Sequence, residues 1–275
     1  MRYIQCFLTV NDGKWLIAEA ISKMEPVRAA LESGSIVFKG GTTVSCISQL
    51  MTGLELRVGG RNSPRGAMSS KNEVESPHTV LLKDGVTQNM DGRMDEVLSE
   101  LGPGDVMIIG ANLIDGQGNA ALLAGFPGGG QYGRISSYMS CEGFKVIIAA
   151  GLEKMTPGSV RDAMLAVRRK NIDSSYGMSC GLFPVAGELV TELEAIKLLA
   201  DVEVAIIGRG GIDGGEGGIL LQIWGEEGQV AVVEGAIERC KGKEVAGDPL
   251  SLEECVVPSS GCARHLSCRY RKKGS

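Results

Sequence analysis

The period of hydrophobic positions changes repeatedly along the chain, and each change marks a predicted element. In "MEPVRAALESGSIVFKGGTTVSCISQL", residues 24–50, Val27, Ala30 and Leu31 share one helical face, Pro26 suits a first turn and Gly34 a helix end. "SIVFK" follows as a short apolar strand, breaks at Gly40-Gly41, and Thr42-Thr43 open a second helix through "VSCISQLM". Helix, strand, glycine turn and helix in that order predict a parallel α/β sheet. Further strands are expected in "HTVLLKDG", over 105–115 ("DVMIIGANLID") and over 144–151 ("FKVIIAAG"), with helices over "MDEVLSELGPGD", "RISSYMSCEG" and 156–171, the last capped by Thr156. The unbroken apolar run at 105–115 suits a central strand buried on both faces.

Beyond the linker "IDSSYGMSCG" the pattern predicts strand, helix, strand, strand, helix and a last strand in "ECVVP". That βαββαβ order describes a ferredoxin-like α+β unit. The expected division is therefore an α/β ligand-binding domain over 1–172, a smaller ferredoxin-like domain over 173–258, and a Cys-bearing basic tail over 259–275.

Composition narrows the function classes. Aromatic residues make up 4% of the chain, there are 40 glycines, and the formal charge is −5, so neither stacking platforms nor a basic face for nucleic acid are expected. No apolar run reaches the ~18 residues of a membrane span, and the start lacks a signal-peptide core. A cytoplasmic homo-oligomer is expected, its eight cysteines present as thiols or in part as metal ligands.

Candidate chemistry lies where predicted strands end, since open parallel sheets bind ligands at the carboxyl ends of their strands. "KGGTTVS" offers Lys39, Gly40, Gly41, Thr42 and Thr43 at a helix N-terminus, a setting for phosphate or carboxylate. "IIGANLIDGQGN" carries Gly110, Asn112 and Asp115, and only Asp115 is a plausible proton carrier there. "FPGGGQYGR" carries Gly128, Gly129 and Gly130, which let a ligand lie against the backbone, and Arg134 as an anion contact. His78 is the one histidine of the first domain and a candidate base. In the tail, Cys255, Cys262, His265 and Cys268 are ligand types that suit zinc or an iron–sulfur centre, at a spacing without a C-x2-C pair.

Over residues of about 16–155 these loops, in this order, resemble the superfamily of ribose-5-phosphate isomerase, glucosamine-6-phosphate deaminase, sugar-responsive regulators and CoA-transferases. "SGSIVFKGGTTVSCISQL" is similar to the isomerase's phosphate loop, "DVMIIGANLIDGQGN" to its Asp-Gly-Ala-Asp strand, and "PGGGQYGRI" to its Lys-Gly-Gly-Gly segment. The resemblance implies a three-layer, Rossmann-like parallel-sheet domain followed by the ferredoxin-like one, and a small phosphorylated, sugar-phosphate-like ligand. Isomerase-type chemistry is the first expectation, with Ile109 and Asn112 standing where the isomerase motif has aspartates. "IIGANLIDGQGNAAL" is also similar to the CoA-transferase strand, so acyl transfer is the alternative; that resemblance implies a glutamate nucleophile, for which Glu153 one strand later is the nearest candidate, with its neighbour Lys154 as an anion contact. A third class, a noncatalytic sensor or assembly protein, is implied by "GILLQIWGEEGQVAVVEGAIERC", which resembles a microcompartment shell domain.

Overall fold

The computed structural model describes residues 1–70, 74–256 and 260–271; the end of the candidate strand at 254–258 and of the basic run at 269–275 lies outside them. Strand β1 (Arg2–Leu8) leads into helix α1 (Val10–Lys23), which begins at a capping box. There Thr9 Oγ1 accepts from the Asp12 N–H at 3.1 Å and Asp12 Oδ2 accepts from the Thr9 N–H at 3.0 Å. Helix α2 (Glu25–Ser33), strand β2 (Ser35–Lys39) and helix α3 (Thr42–Thr52) succeed one another as expected. Two hairpins come next, β3 (Gly60–Ser63) with β4 (Gly66–Ser69) and β5 (Thr79–Lys83) with β6 (Val86–Asn89), then α4 (Met94–Leu98) and β7 (Val106–Ile109). The short hairpin β8 (Leu113–Ile114) and β9 (Ala120–Ala124) precedes α5 (Gly130–Cys141), β10 (Lys145–Ala149) and α6 (Val160–Ala166). The chain continues through β11 (Gly181–Val185), β12 (Glu188–Val190), α7 (Glu192–Leu199), β13 (Val202–Arg209), β14 (Ile219–Gly225), α8 (Glu227–Cys240) and α9 (Pro249–Leu252).

The fold is mixed α/β, built on a six-stranded sheet of order β12-β10-β7-β2-β5-β6. The first four strands run parallel, and β5 and β6 are antiparallel. Alternation along the strands feeds two cores. Ile36, Phe38, Val80, Ile108 and Ile147 pack on the side of α1 and α3, while Val37, Leu81, Met107, Ile109 and Ile148 pack on the side of α4 and α5. Every residue of β2 and β7 is buried, and each large apolar side chain so placed stabilises by about 1.5–3 kcal/mol. Among the described residues no helix is long and apolar enough to cross a membrane.

Three expectations change. The strand predicted over 105–115 stops at Ile109, because β9 captures the next residues: the Asn112 N–H donates to the Ala121 carbonyl at 2.8 Å and β8 pairs with β9 in a separate sheet, β11-β9-β8. The helix predicted over 156–171 starts at Val160 and ends at Ala166, with Ser159 as its cap at 3.0 Å; the Thr156 N–H is instead bonded to the Ile114 carbonyl. The βαββαβ unit expected over 173–258 is redistributed: β12 joins the main sheet beside β10, and β14 takes β1 as neighbour from Arg2↔Gly225 to Leu8↔Ile219. The small sheet is therefore β1-β14-β13, and a boundary at 172/173 does not divide the sheets.

Candidate functional site

Lys39 ends β2, directly opposite Thr79 and in register with Ile109, so it belongs to the face that packs on α5. The residue is buried, and its ammonium lies 3.1 Å from His78 Nε2 and 3.1 Å from Gln131 Oε1. His78 Nδ1 is 2.9 Å from the Arg57 carbonyl, an acceptor, which assigns the ring proton to Nδ1 and the lone pair to Nε2. Burial and the neighbouring Lys39 charge push His78 down to about 3, so the imidazole is neutral and accepts from Lys39. Burial also lowers Lys39, to about 8, which leaves it an ammonium at neutral pH.

The nearest carboxylate is already engaged. Asp91 accepts from Arg57 Nη2 at 2.8 Å, from the His78 N–H at 2.8 Å and from the Thr79 N–H at 3.0 Å. Burial pushes its carboxyl up, the bonds from His78 and Arg57 outweigh that, and it stays ionised. Among the described residues, Lys39 is thus a buried cation whose hydrogen bonds go to neutral groups, while the buried hydroxyls of Thr43 and Thr79 have no hydrogen-bond partner. Buried charges and polar groups are ordinarily compensated. Helix α3 begins beside them at Gly41 with no side-chain cap, which leaves the positive end of its dipole open to an anion.

Glycines set this geometry. A Cβ on Gly40 would stand 2.5 Å from the His78 carbonyl oxygen, and one on Gly59 would stand 2.8 Å from His78 Cε1, so the imidazole lies against two bare backbones. Gly128, Gly129 and Gly130 have φ of 63°, 81° and 62°, a left-handed run that non-glycine residues resist. This turn starts α5 where Gln131 reaches Lys39.

Of the residues expected from the sequence, Lys39 meets Gln131, which directly follows the Gly128–Gly130 turn; Gly40 to Thr43 carry the chain from Lys39 into α3, and Gly110 follows the β7 end beside Lys39. Arg134 does not join them; it is exposed on α5, and Gln131, which no motif singled out, takes its place. Asn112 and Asp115 serve the backbone instead. Asn112 Oδ1 accepts from the Leu123 N–H at 2.9 Å. Asp115 is buried and accepts from the N–H groups of Gln117, Asn119 and Val160 and from Asn119 Nδ2, at 2.9 to 3.1 Å. Burial pushes the Asp115 carboxyl up, these bonds more than offset it, and the net shift is downward, away from proton transfer at neutral pH.

The tail residues Cys255, Cys262, His265 and Cys268 line one cavity together with Arg65 and Tyr270. Burial and the two neighbouring thiols raise Cys255, and the His265 ring packs edge-on to Phe126 at 5.8 Å. Among the described residues no group of three or more His, Cys, Asp or Glu is arranged to hold a metal ion. No family model, curated protein or solved structure matches the chain.

Proposed function

We propose that this chain binds a small phosphorylated metabolite, of the sugar-phosphate kind, with its phosphate between Lys39 and the start of α3. The observation that carries this reading is the buried Lys39 ammonium, which among the described residues has only neutral hydrogen-bond acceptors. The open helix end, the Thr43 and Thr79 hydroxyls that lack a partner among the described residues, and the Gly40-Gly41 backbone support it. A Rossmann-like reading of the main domain is supported by four parallel strands with helices on both faces, and the site lies at their carboxyl edge. Isomerase-type turnover would need a base at the ligand. Asp115 and Asn112 are held by backbone and the His78 lone pair by Lys39, so binding is the property put forward.

Calorimetric titration with inorganic phosphate and ribose 5-phosphate tests the reading. Lys39→Met should weaken binding about 10- to 100-fold, the worth of one or two charge-assisted hydrogen bonds. The same variant should melt at or above the wild type, since it removes an uncompensated buried cation. Thr43→Ala should weaken binding about fivefold, one neutral hydrogen bond. Wild-type affinity should fall as pH rises past about 8, where Lys39 loses its proton. Wild-type affinity in Lys39→Met, or no response to either phosphate compound, would overturn the proposal.

A further inference from the structure

A second group of ionisable side chains sits farther along the same carboxyl edge of the main sheet, where β10 and β12 finish. Glu192 opens α7 and is buried, its carboxyl wedged between two glycines. Glu192 Oε1 lies 2.4 Å from where a Cβ on Gly13 would stand and 2.8 Å from where one on Gly151 would. Glu153 Oε2 lies 2.0 Å from that same point at Gly151, so the two carboxyls crowd one position. Glu192 Oε2 accepts from the Leu152 N–H at 2.8 Å, and Arg209 of β13 donates to the Leu152 carbonyl, which fixes the turn that carries Glu153 and Lys154. Lys14 of α1 completes the group, buried with Glu153, Lys154 and Glu192 as its charged neighbours.

Holding the turn accounts for Glu192 and Arg209. It leaves two features without a purpose. Among the described residues Glu153 Oε2 is buried without a hydrogen-bond partner, and its Oε1 is engaged by Lys154 at a long 3.7 Å. Lys14 Nζ makes no hydrogen bond among the described residues although the residue is 8% exposed. A buried bare acceptor, and an ammonium without a hydrogen bond among the described residues on a side chain that is itself largely buried, are complementary to a ligand that carries an anionic oxygen beside a hydrogen-bond donor. The loop between β13 and β14 passes over Glu153: a Cβ on Gly217 would stand 3.7 Å from Glu153 Cβ and 3.1 Å from Val10 Cγ2. Four glycines of that loop, Gly210, Gly211, Gly214 and Gly217, have positive φ, so its course over the group depends on residues without a side chain.

We propose that Lys14, Glu153, Lys154 and Glu192, beneath the 210–218 loop, form a second binding site for a small 2-hydroxy- or 2-amino-carboxylate. Its carboxylate rests on Lys14 and Lys154, and its hydroxyl or ammonium donates to Glu153 Oε2. Glu192 tunes the site by protonation. Burial first and the Glu153 charge second push it up to about 7, while Lys154 and the Leu152 N–H pull it back. An arriving carboxylate raises it further, so binding near pH 7 takes up a proton.

Calorimetry with lactate, malate, serine and aspartate, in buffers of different ionisation enthalpy and with acetate as the control lacking a donor, tests this. At least one of the four compounds should bind 10-fold or more tightly than acetate. Lys14→Met and Glu153→Gln should each weaken that binding 10-fold or more. Glu192→Gln should retain it within about threefold at pH 6 but lose most of the proton uptake at pH 7. Glu153→Gln removes no hydrogen bond of the fold, so it should melt with the wild type and keeps the test valid if Lys14→Met is unstable. Lys39→Met should leave these affinities unchanged, and Lys14→Met should leave phosphate binding unchanged, so the two sites fail or stand separately. No preference over acetate, or wild-type affinity in Glu153→Gln, would overturn the proposal.

Discussion

Asp115→Ala should lower stability by about 3–5 kcal/mol, because it leaves several buried N–H groups without their acceptor at once, each worth about 1–3 kcal/mol. The carboxylate gathers the N–H groups of Gln117 and Asn119 in its own turn, the Asn119 side chain, and the Val160 N–H that begins α6, 45 residues later in sequence. It therefore ties the β8–β9 hairpin to α6. Water entering the turn will replace some of these bonds, which keeps the loss below the plain sum. Asp115→Asn retains an acceptor oxygen and should lose about half as much. The pH dependence is set by the downward shift of the folded carboxyl. Its contribution is complete above the unfolded pKa of about 3.9 and is lost as pH falls through the lower folded value, so the gap between wild type and Asp115→Ala should close in acid. Urea midpoints from pH 7 down to pH 3 measure this. Phosphate affinity in Asp115→Ala, measured where the variant is folded, should stay within about twofold of wild type, since a residue one link removed from the ligand acts only through structure. A variant as stable as wild type but unable to bind phosphate would return Asp115 to the site and remove the structural account.

Asp115 also shows where sequence reasoning reaches its limit. The unit over residues 24–52 is legible because local signals agree: Pro26 and Gly34 bound one helix, the apolar run of β2 has nowhere to lie but inside a sheet, and Gly40-Gly41 precede a helix start. The phosphate-loop candidate inherits that clarity. Asn112 and Asp115 sit at the end of an equally clear apolar run, but a polar side chain there reads the same whether it faces a ligand or its own loop. What decides is the return of β9, which supplies Leu123, and the arrival of Val160. Partnerships between distant segments leave still less trace: nothing local in "RYIQCFL" announces that it pairs with residues 219–225. Two signals were present and unread. Thr9 with Asp12, and Thr191 with Glu194, are capping boxes that place helix starts, and the second sets the start of α7 directly after β12. Gln131 had no signal of its own. A glutamine after three glycines becomes informative only when the left-handed turn aims it at Lys39.

Gly40→Ala should destabilise the fold by about 3 kcal/mol, the upper end for forcing atoms into a packed interior, and should abolish the phosphate site with it. The added methyl would stand 2.5 Å from the His78 carbonyl oxygen, 2.6 Å from His78 Nδ1 and 2.7 Å from the Arg57 carbonyl oxygen. Two of these three atoms are backbone, and the Gly40 N–H is itself bonded to the His78 carbonyl at 2.7 Å, so no rotamer change relieves the clash. The strands must separate there. Separation pulls His78 away from Arg57 and from Lys39, and it disturbs the Asp91 bonds to the His78 and Thr79 N–H groups. Lys39 then loses the neutral acceptor that holds its ammonium in place. Gly41→Ala, one residue on, is the matched control: its φ is 178°, ordinary extended backbone, and a methyl there meets nothing within 4 Å. It should change stability by less than about 0.5 kcal/mol, as open positions do, and it should weaken phosphate binding only if the ligand lies directly on that backbone. Chemical denaturation and calorimetry on the pair separate the two effects. Equal behaviour of the two variants would mean that the close approach of Gly40 to His78 does not organise the site.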